Sequence, residues 1–79
     1  MLNSPVLVLN KFFLPIDTTS VRRAFLMLYG GAAKAVDINY ETFDFNSWSE
    51  ITSMKNEDCI KTVSKVIKIP RVIMVVRYD

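Results

Sequence analysis

The spacing of apolar positions changes several times along this chain, and each change marks an element. Val6-Leu7-Val8-Leu9 is a continuous apolar run after Pro5. Four residues in a row, half of them β-branched, predict a buried strand. Phe12-Phe13-Leu14-Pro15-Ile16 is also apolar but holds a proline, which predicts a packed loop. Val21, Ala24, Phe25 and Leu28 then recur at i, i+3, i+4 and i+7, one face of a helix over about Ser20–Tyr29. Thr18-Thr19-Ser20 supplies N-cap hydroxyls, and Gly30-Gly31 supplies the stop. Leu26 and Met27 widen the apolar stripe and predict burial on more than one side.

The second half alternates between shorter signals. Ala33–Ile38 reads as a strand, and Tyr40–Phe45 alternates as a short strand or extended arm does. Ser47-Trp48-Ser49-Glu50 has the spacing of a capping box, predicting a short helix that carries Trp48, Ile51 and Met54 on one face. Lys55–Asp58 is a polar turn. Residues 59–69 fit two templates: Ile60, Val63 and Ile67 have helical spacing, while the β-branched content favours strand. Strand for Cys59–Ser64 and extended chain near Pro70 is the preferred reading, because the residue before a proline avoids the helical region. Val72–Arg77 reads as a last strand. The pattern predicts an α+β fold: short strands in a mainly antiparallel sheet, one main helix and a second short one.

Composition then limits the chemistry. Seventy-nine residues make a single domain over 1–79. With 51% hydrophobic residues, it is apolar enough to leave surface for another domain or subunit. There is no histidine and one cysteine, Cys59, so the chain offers no imidazole base, no intrachain disulfide and no cysteine zinc site. Cys59 itself reads as a small buried hydrophobe. An unpaired cysteine and the lack of a signal-like or membrane-length apolar segment point to the cytoplasm and to no membrane partner. The net charge of +2 is small, but the acids gather in Asp37–Asp58 and the cations in Lys61–Arg77.

Several stretches form an ordered series: Val6-Leu7-Val8-Leu9-Asn10, Phe13-x-Pro15-Ile16, Ser20-Val21-Arg22-Arg23-Ala24-Phe25 and Leu28-Tyr29-x-Gly31-x-Ala33, then Ile69-Pro70-Arg71-Val72-Ile73 and Arg77-Tyr78. The series resembles the N-terminal region that precedes the nuclease module in a bacterial family of HNH endonucleases, and it covers nearly the whole chain. The resemblance implies a parent DNA endonuclease whose HNH module would follow residue 79, bringing the catalytic histidines, a divalent metal and structural zinc. No cofactor is implied for these residues. Ala32 stands where the family pattern has Lys or Arg, so an anion contact there is not carried over. Residues 40–58 look like an insertion found in one branch of the family. DNA, bound in a salt-dependent way, and either the downstream HNH module or a second subunit are the partners implied.

The candidate nucleic-acid contacts are Arg22, Arg23, Lys61, Lys65, Lys68, Arg71 and Arg77. Arg22 and Arg23 fall in the first turn of the predicted helix, where a cation opposes the helix dipole and needs an offset. A phosphate at the helix N-terminus is one offset, and a pair with Asp17 or with a carboxylate elsewhere in the fold is the other. The Lys61–Arg77 series either tracks a phosphate backbone or forms a solvated face. Phe12, Phe13 and Trp48 are read as base-stacking platforms or as core. Asp37, Glu41 and Asp44 are read as a magnesium set or as solvated acids. No acid stands two residues before a lysine, and Gly30-Gly31 follows a helix, so neither a carboxylate-lysine nuclease motif nor a phosphate loop is present.

Overall fold

The computed structural model describes residues 4–51, 59–61 and 66–77. Its elements run β1 (Val6–Leu9), β2 (Pro15–Thr19), α1 (Val21–Tyr29), β3 (Ala33–Val36), β4 (Thr42–Phe43), α2 (Phe45–Ser49), β5 (Cys59–Lys61), β6 (Val66–Lys68) and β7 (Val72–Val75). The α+β expectation holds. Five strands form one sheet in the order β2-β1-β7-β3-β4, and β5 and β6 form a separate pair. Every strand pairing is antiparallel except β1 with β7, where Leu7, Val8 and Leu9 face Val72, Ile73 and Met74 in parallel.

Alternation along the central strands sends Val6, Val8, Ala33, Ile73 and Val75 to one face, where they pack with Val21 and Ala24 of α1. Leu28 continues the helix stripe against Ala35, Trp48 and Ile67. Trp48 is buried, and its indole N–H donates to the Lys68 carbonyl at 2.8 Å, tying α2 to β6. Ile60 of the β5–β6 pair touches both clusters. Strand, not helix, is therefore the outcome for the described parts of 59–69.

Helix α1 has the predicted boundaries. The Ser20 hydroxyl accepts the Arg23 N–H at 3.1 Å, and Gly31, at φ +82°, supplies the left-handed residue that ends the helix. Leu26 departs from expectation: it is 63% exposed, because a helix lying on one sheet face buries the Val21-Ala24-Leu28 line and turns Leu26 away.

Two of the other departures, at Ser47 and at Ile38, share a cause, which is local side-chain capping. The capping box does not form at Ser47 and Glu50. Asp44 is the N-cap instead, its carboxylate accepting the Ser47 N–H at 2.8 Å, and Glu50 closes the C-terminal end. Phe12–Ile16 is not a packed loop: Phe12, Leu14 and Ile16 are exposed, and β2 starts at Pro15 on the sheet edge, where a missing N–H goes unneeded. The strand from Ala33 stops at Val36 because Asp37 opens a turn, leaving Ile38 exposed. Met54, the Lys55–Asp58 turn and Lys65 lie outside the described residues.

Two of these turns are the same device. Asn10 N–H donates to Leu14 O (2.8 Å), Phe13 N–H donates to Asn10 O (2.9 Å), and Asn10 Oδ1 accepts the Phe12 and Leu14 N–H groups. Asp37 repeats this with Asn39, Tyr40 and Glu41, at 2.9–3.0 Å throughout. The fourth residue of each turn is left-handed and aromatic, Phe13 at φ 64° and Tyr40 at φ 63°. Because β1 and β3 run in opposite directions, the two turns leave opposite ends of the sheet. Their rings nevertheless meet edge to face, with centroids 6.1 Å apart. They lie on the sheet face that α1 does not cover, above Leu9 and Val36, both buried.

Three outcomes follow for stability. Ile73 is fully buried at the sheet centre. Ile73→Ala should lower stability by about 2–5 kcal/mol in urea denaturation, against well under half of that for half-buried Val72→Ala; equal losses would mean β7 is not the central strand. At Phe13, alanine keeps the strained backbone and glycine relieves it, so Phe13→Gly should exceed Phe13→Ala in stability by about 1 kcal/mol. Asp44 is held below the usual carboxylate range by the Ser47 backbone N–H first and the Ser47 side chain second, with Lys34 a minor contributor. A lowered folded pKa gives stability that is present above the unfolded value and lost as pH falls through the folded one. Asp44→Asn keeps the cap but cannot titrate, so it should flatten the decline in melting temperature as the pH drops below about 4; a decline as steep as in the native chain would refute the assignment.

Candidate nucleic-acid interface

The sequence-predicted cations do not form one stripe. Arg22 and Arg23 are exposed in the first turn of α1. Asp17, the local partner considered for them, instead directs Oδ1 to the Thr18 N–H at 2.8 Å. Arg77 lies at the other end of the same helix, where Nη2 donates to the Gly30 carbonyl at 2.8 Å. A cation at a helix C-terminus complements the dipole there. Arg77 therefore has a structural task that its sequence neighbourhood did not reveal. The contact spans 47 residues, and no residue of the helix's own last turn is basic.

Lys61 lies on the outer side of the β5–β6 pair. Ile60 faces Ile67 in this register, and both pack inward, so Lys61 and Lys68 fall on the other side with Cys59 and Val66. Cys59 is half-buried and unpaired in any disulfide, less enclosed than expected. The Lys68 ammonium sits 5.5 Å from the Trp48 ring centroid, a cation–π distance. Arg71 is exposed just before β7, and its carbonyl accepts the Leu7 N–H at 3.0 Å.

Among the described cations, Lys68 and Arg71 are two that the fold brings together. With Asp37, Ile38 and Trp48 they line a recess of about 300 Å³ at the end of the sheet where β3 stops and β7 begins. Asp37 enters this recess with Oδ1 already accepting two backbone N–H groups. Val36, Asp37, Ile38 and Val72 also line a groove of about 390 Å³ on the open sheet face, walled by Leu7, Phe13 and Tyr40. Recess and groove adjoin through Val36, Asp37, Ile38 and Val72, with Lys68 and Arg71 lining the first and Phe13 and Tyr40 the second.

Of the three aromatic candidates, two remain accessible. Phe12 is 81% and Phe13 40% exposed, whereas Trp48 at 2% belongs to the core. Tyr40 and Ile38, absent from the sequence-based candidates, are prominent on this surface, at 72% and 93% exposure. The signal for Tyr40 was present in the chain: an Asn or Asp three residues before an aromatic occurs at Asn10–Phe13 and again at Asp37–Tyr40. Two of the three acids considered as a metal set, Asp37 and Asp44, serve as caps for backbone N–H groups. Among the described residues no group of three or more potential ligands is placed to hold a metal ion. Among them, too, no helix is long and apolar enough to cross a membrane.

The family model for the HNH endonuclease-associated N-terminal domain matches residues 6–79. The chain belongs to this family. No curated protein and no solved structure matches it. The match spans both Asx-capped turns, the recess and α1, so the surface described above is part of the HNH-associated domain and not an appendage to it.

Proposed function

We propose that this HNH-associated domain is a non-catalytic accessory domain that helps position DNA for a linked HNH nuclease module, and that it does so with its open sheet face. The observation that carries the reading is that the Lys68–Arg71 recess adjoins the aromatic groove, the two sharing four lining residues. Phosphate contacts orient a strand without reading its sequence, and aromatic rings accept any base on their faces. Cations next to exposed rings suit a nucleic-acid strand better than either feature does alone. Phe12 and Ile38, exposed in the two turns, extend the apolar part of the surface toward bases or sugars. Arg77 is left out of this role because it serves the end of α1.

A chain without histidine cannot supply the histidines of an HNH site. The divalent metal and the zinc implied by the resemblance belong to the HNH module, and the contribution of this domain is binding and orientation.

The test is a fluorescence-anisotropy titration of labelled single- and double-stranded oligonucleotides across a salt series. Arg71→Gln and Lys68→Gln should each weaken binding of all sequences alike and reduce the salt slope by about one phosphate's worth. Phe12→Ala should weaken single-strand binding about tenfold, with the salt slope unchanged. A folded domain that fails to bind at low salt, or whose slope ignores both cations, removes the DNA role.

A further inference from the structure

Helix α1 carries two apolar lines. Val21, Ala24 and Leu28 face the sheet. Arg22, Phe25, Leu26 and Tyr29, at i, i+3, i+4 and i+7, line a groove of about 480 Å³ together with Ile60 and Ile67, and Phe25 reaches in to pack against both core clusters. Leu26 is 63% and Tyr29 74% exposed. Among the described residues the groove lining holds no acid and a single cation, Arg22, at one end. Tyr29 stands at the other end, edge to face with Phe45 at 5.1 Å. A second hollow there is lined by Tyr29, Phe45 and Asp44.

We propose that a second copy of this chain docks on this face, with the two α1 helices antiparallel about a two-fold axis near Leu26. The stripe is complementary to itself. Arg22 and Tyr29 are about 10 Å apart along the helix, with Phe25 and Leu26 midway. A two-fold axis there stacks Leu26 on the partner's Leu26 and brings Arg22 to the partner's Tyr29 and Asp44. A guanidinium then meets a ring and a carboxylate at each end of the contact. The pairing also supplies the offset that Arg22 lacks in its own helix. Its first turn contains no acid, so the charge opposes the local dipole, whereas the partner's Asp44 presents a carboxylate. Contacts related by a two-fold are made twice, which suits a small patch. The surface lies on the helix side of the sheet, so the pairing is independent of the DNA reading.

Sedimentation velocity on the whole chain over a concentration series tests it. The expected result is a monomer–dimer equilibrium. Leu26→Asp should abolish the dimer, and Arg22→Glu, set against the partner's Asp44, should weaken it about tenfold or more. Both positions are exposed, and unchanged far-UV circular dichroism checks that the fold survives. Should Leu26→Asp disturb the fold, Arg22→Glu decides alone. A chain that stays monomeric up to about 100 µM overturns the proposal. So does a dimer that neither substitution weakens.

Discussion

The sheet depends on one pairing between the two ends of the chain. Strand β7 lies between β1 and β3, parallel to the first and antiparallel to the second. Without it the remaining strands are two separate hairpins, β1–β2 and β3–β4, each too small to be stable alone. Ile73 is the centre of this junction, fully buried and paired with Val8 on one side and Ala35 on the other. The pairing joins residues more than sixty positions apart, so its loop-closure entropy must be met before the core exists. Helix α1 can dock only on the finished sheet, because its buried stripe packs on β1, β3 and β7 together.

The same constraint produces the surface on which function is proposed. Helix α1, with Trp48 of α2 and the β5–β6 pair beside it, packs on one face of the five-stranded sheet, and among the described residues the two Asx turns lie over the other. The Phe13–Tyr40 contact partly closes that second face. Holding two bulky residues at positive φ costs on the order of 1–2 kcal/mol each. The edge-to-face contact, about 0.5–1.5 kcal/mol, together with the shielding of Leu9 and Val36, offsets this. Glycine would fit either turn with less strain but would leave that face uncovered. The aromatic choice is thus tied to covering the face, and it leaves rings on the surface beside Lys68 and Arg71.

Periodicity made α1, β1, β3 and β7 legible, because each carries its pattern within a few residues. The departures arose where a side chain competes with the backbone. Asp44 displaces Ser47 as N-cap, and Asp37 ends β3 two residues early, since a carboxylate two to four positions upstream captures the N–H groups first. The proline in Phe12–Ile16 predicts a packed loop, yet at the start of an edge strand it costs no hydrogen bond. Leu26 was misplaced for another reason. An apolar residue adjoining a stripe can face the core or a partner, and the chain's own pattern does not distinguish the two.

The cationic run was the least legible feature, because neighbours in sequence are not neighbours on a folded surface. Lys61, Lys68, Arg71 and Arg77 read as one series, yet the fold gives them different surroundings: a hairpin's outer face, a shared recess beside Trp48, and the C-terminal end of α1. Between Lys68 and Arg71 the chain passes through buried Ile69 and Pro70, and this short anchored link is what keeps two cations in one recess. Beyond Val75 the ladder ends with the Val76 and Arg77 N–H groups both on the Ala32 carbonyl, and this tie holds Arg77 beside the Gly30 carbonyl at the end of α1. Local charge density therefore follows from where β6 ends and β7 begins. The net charge of +2 does not determine it.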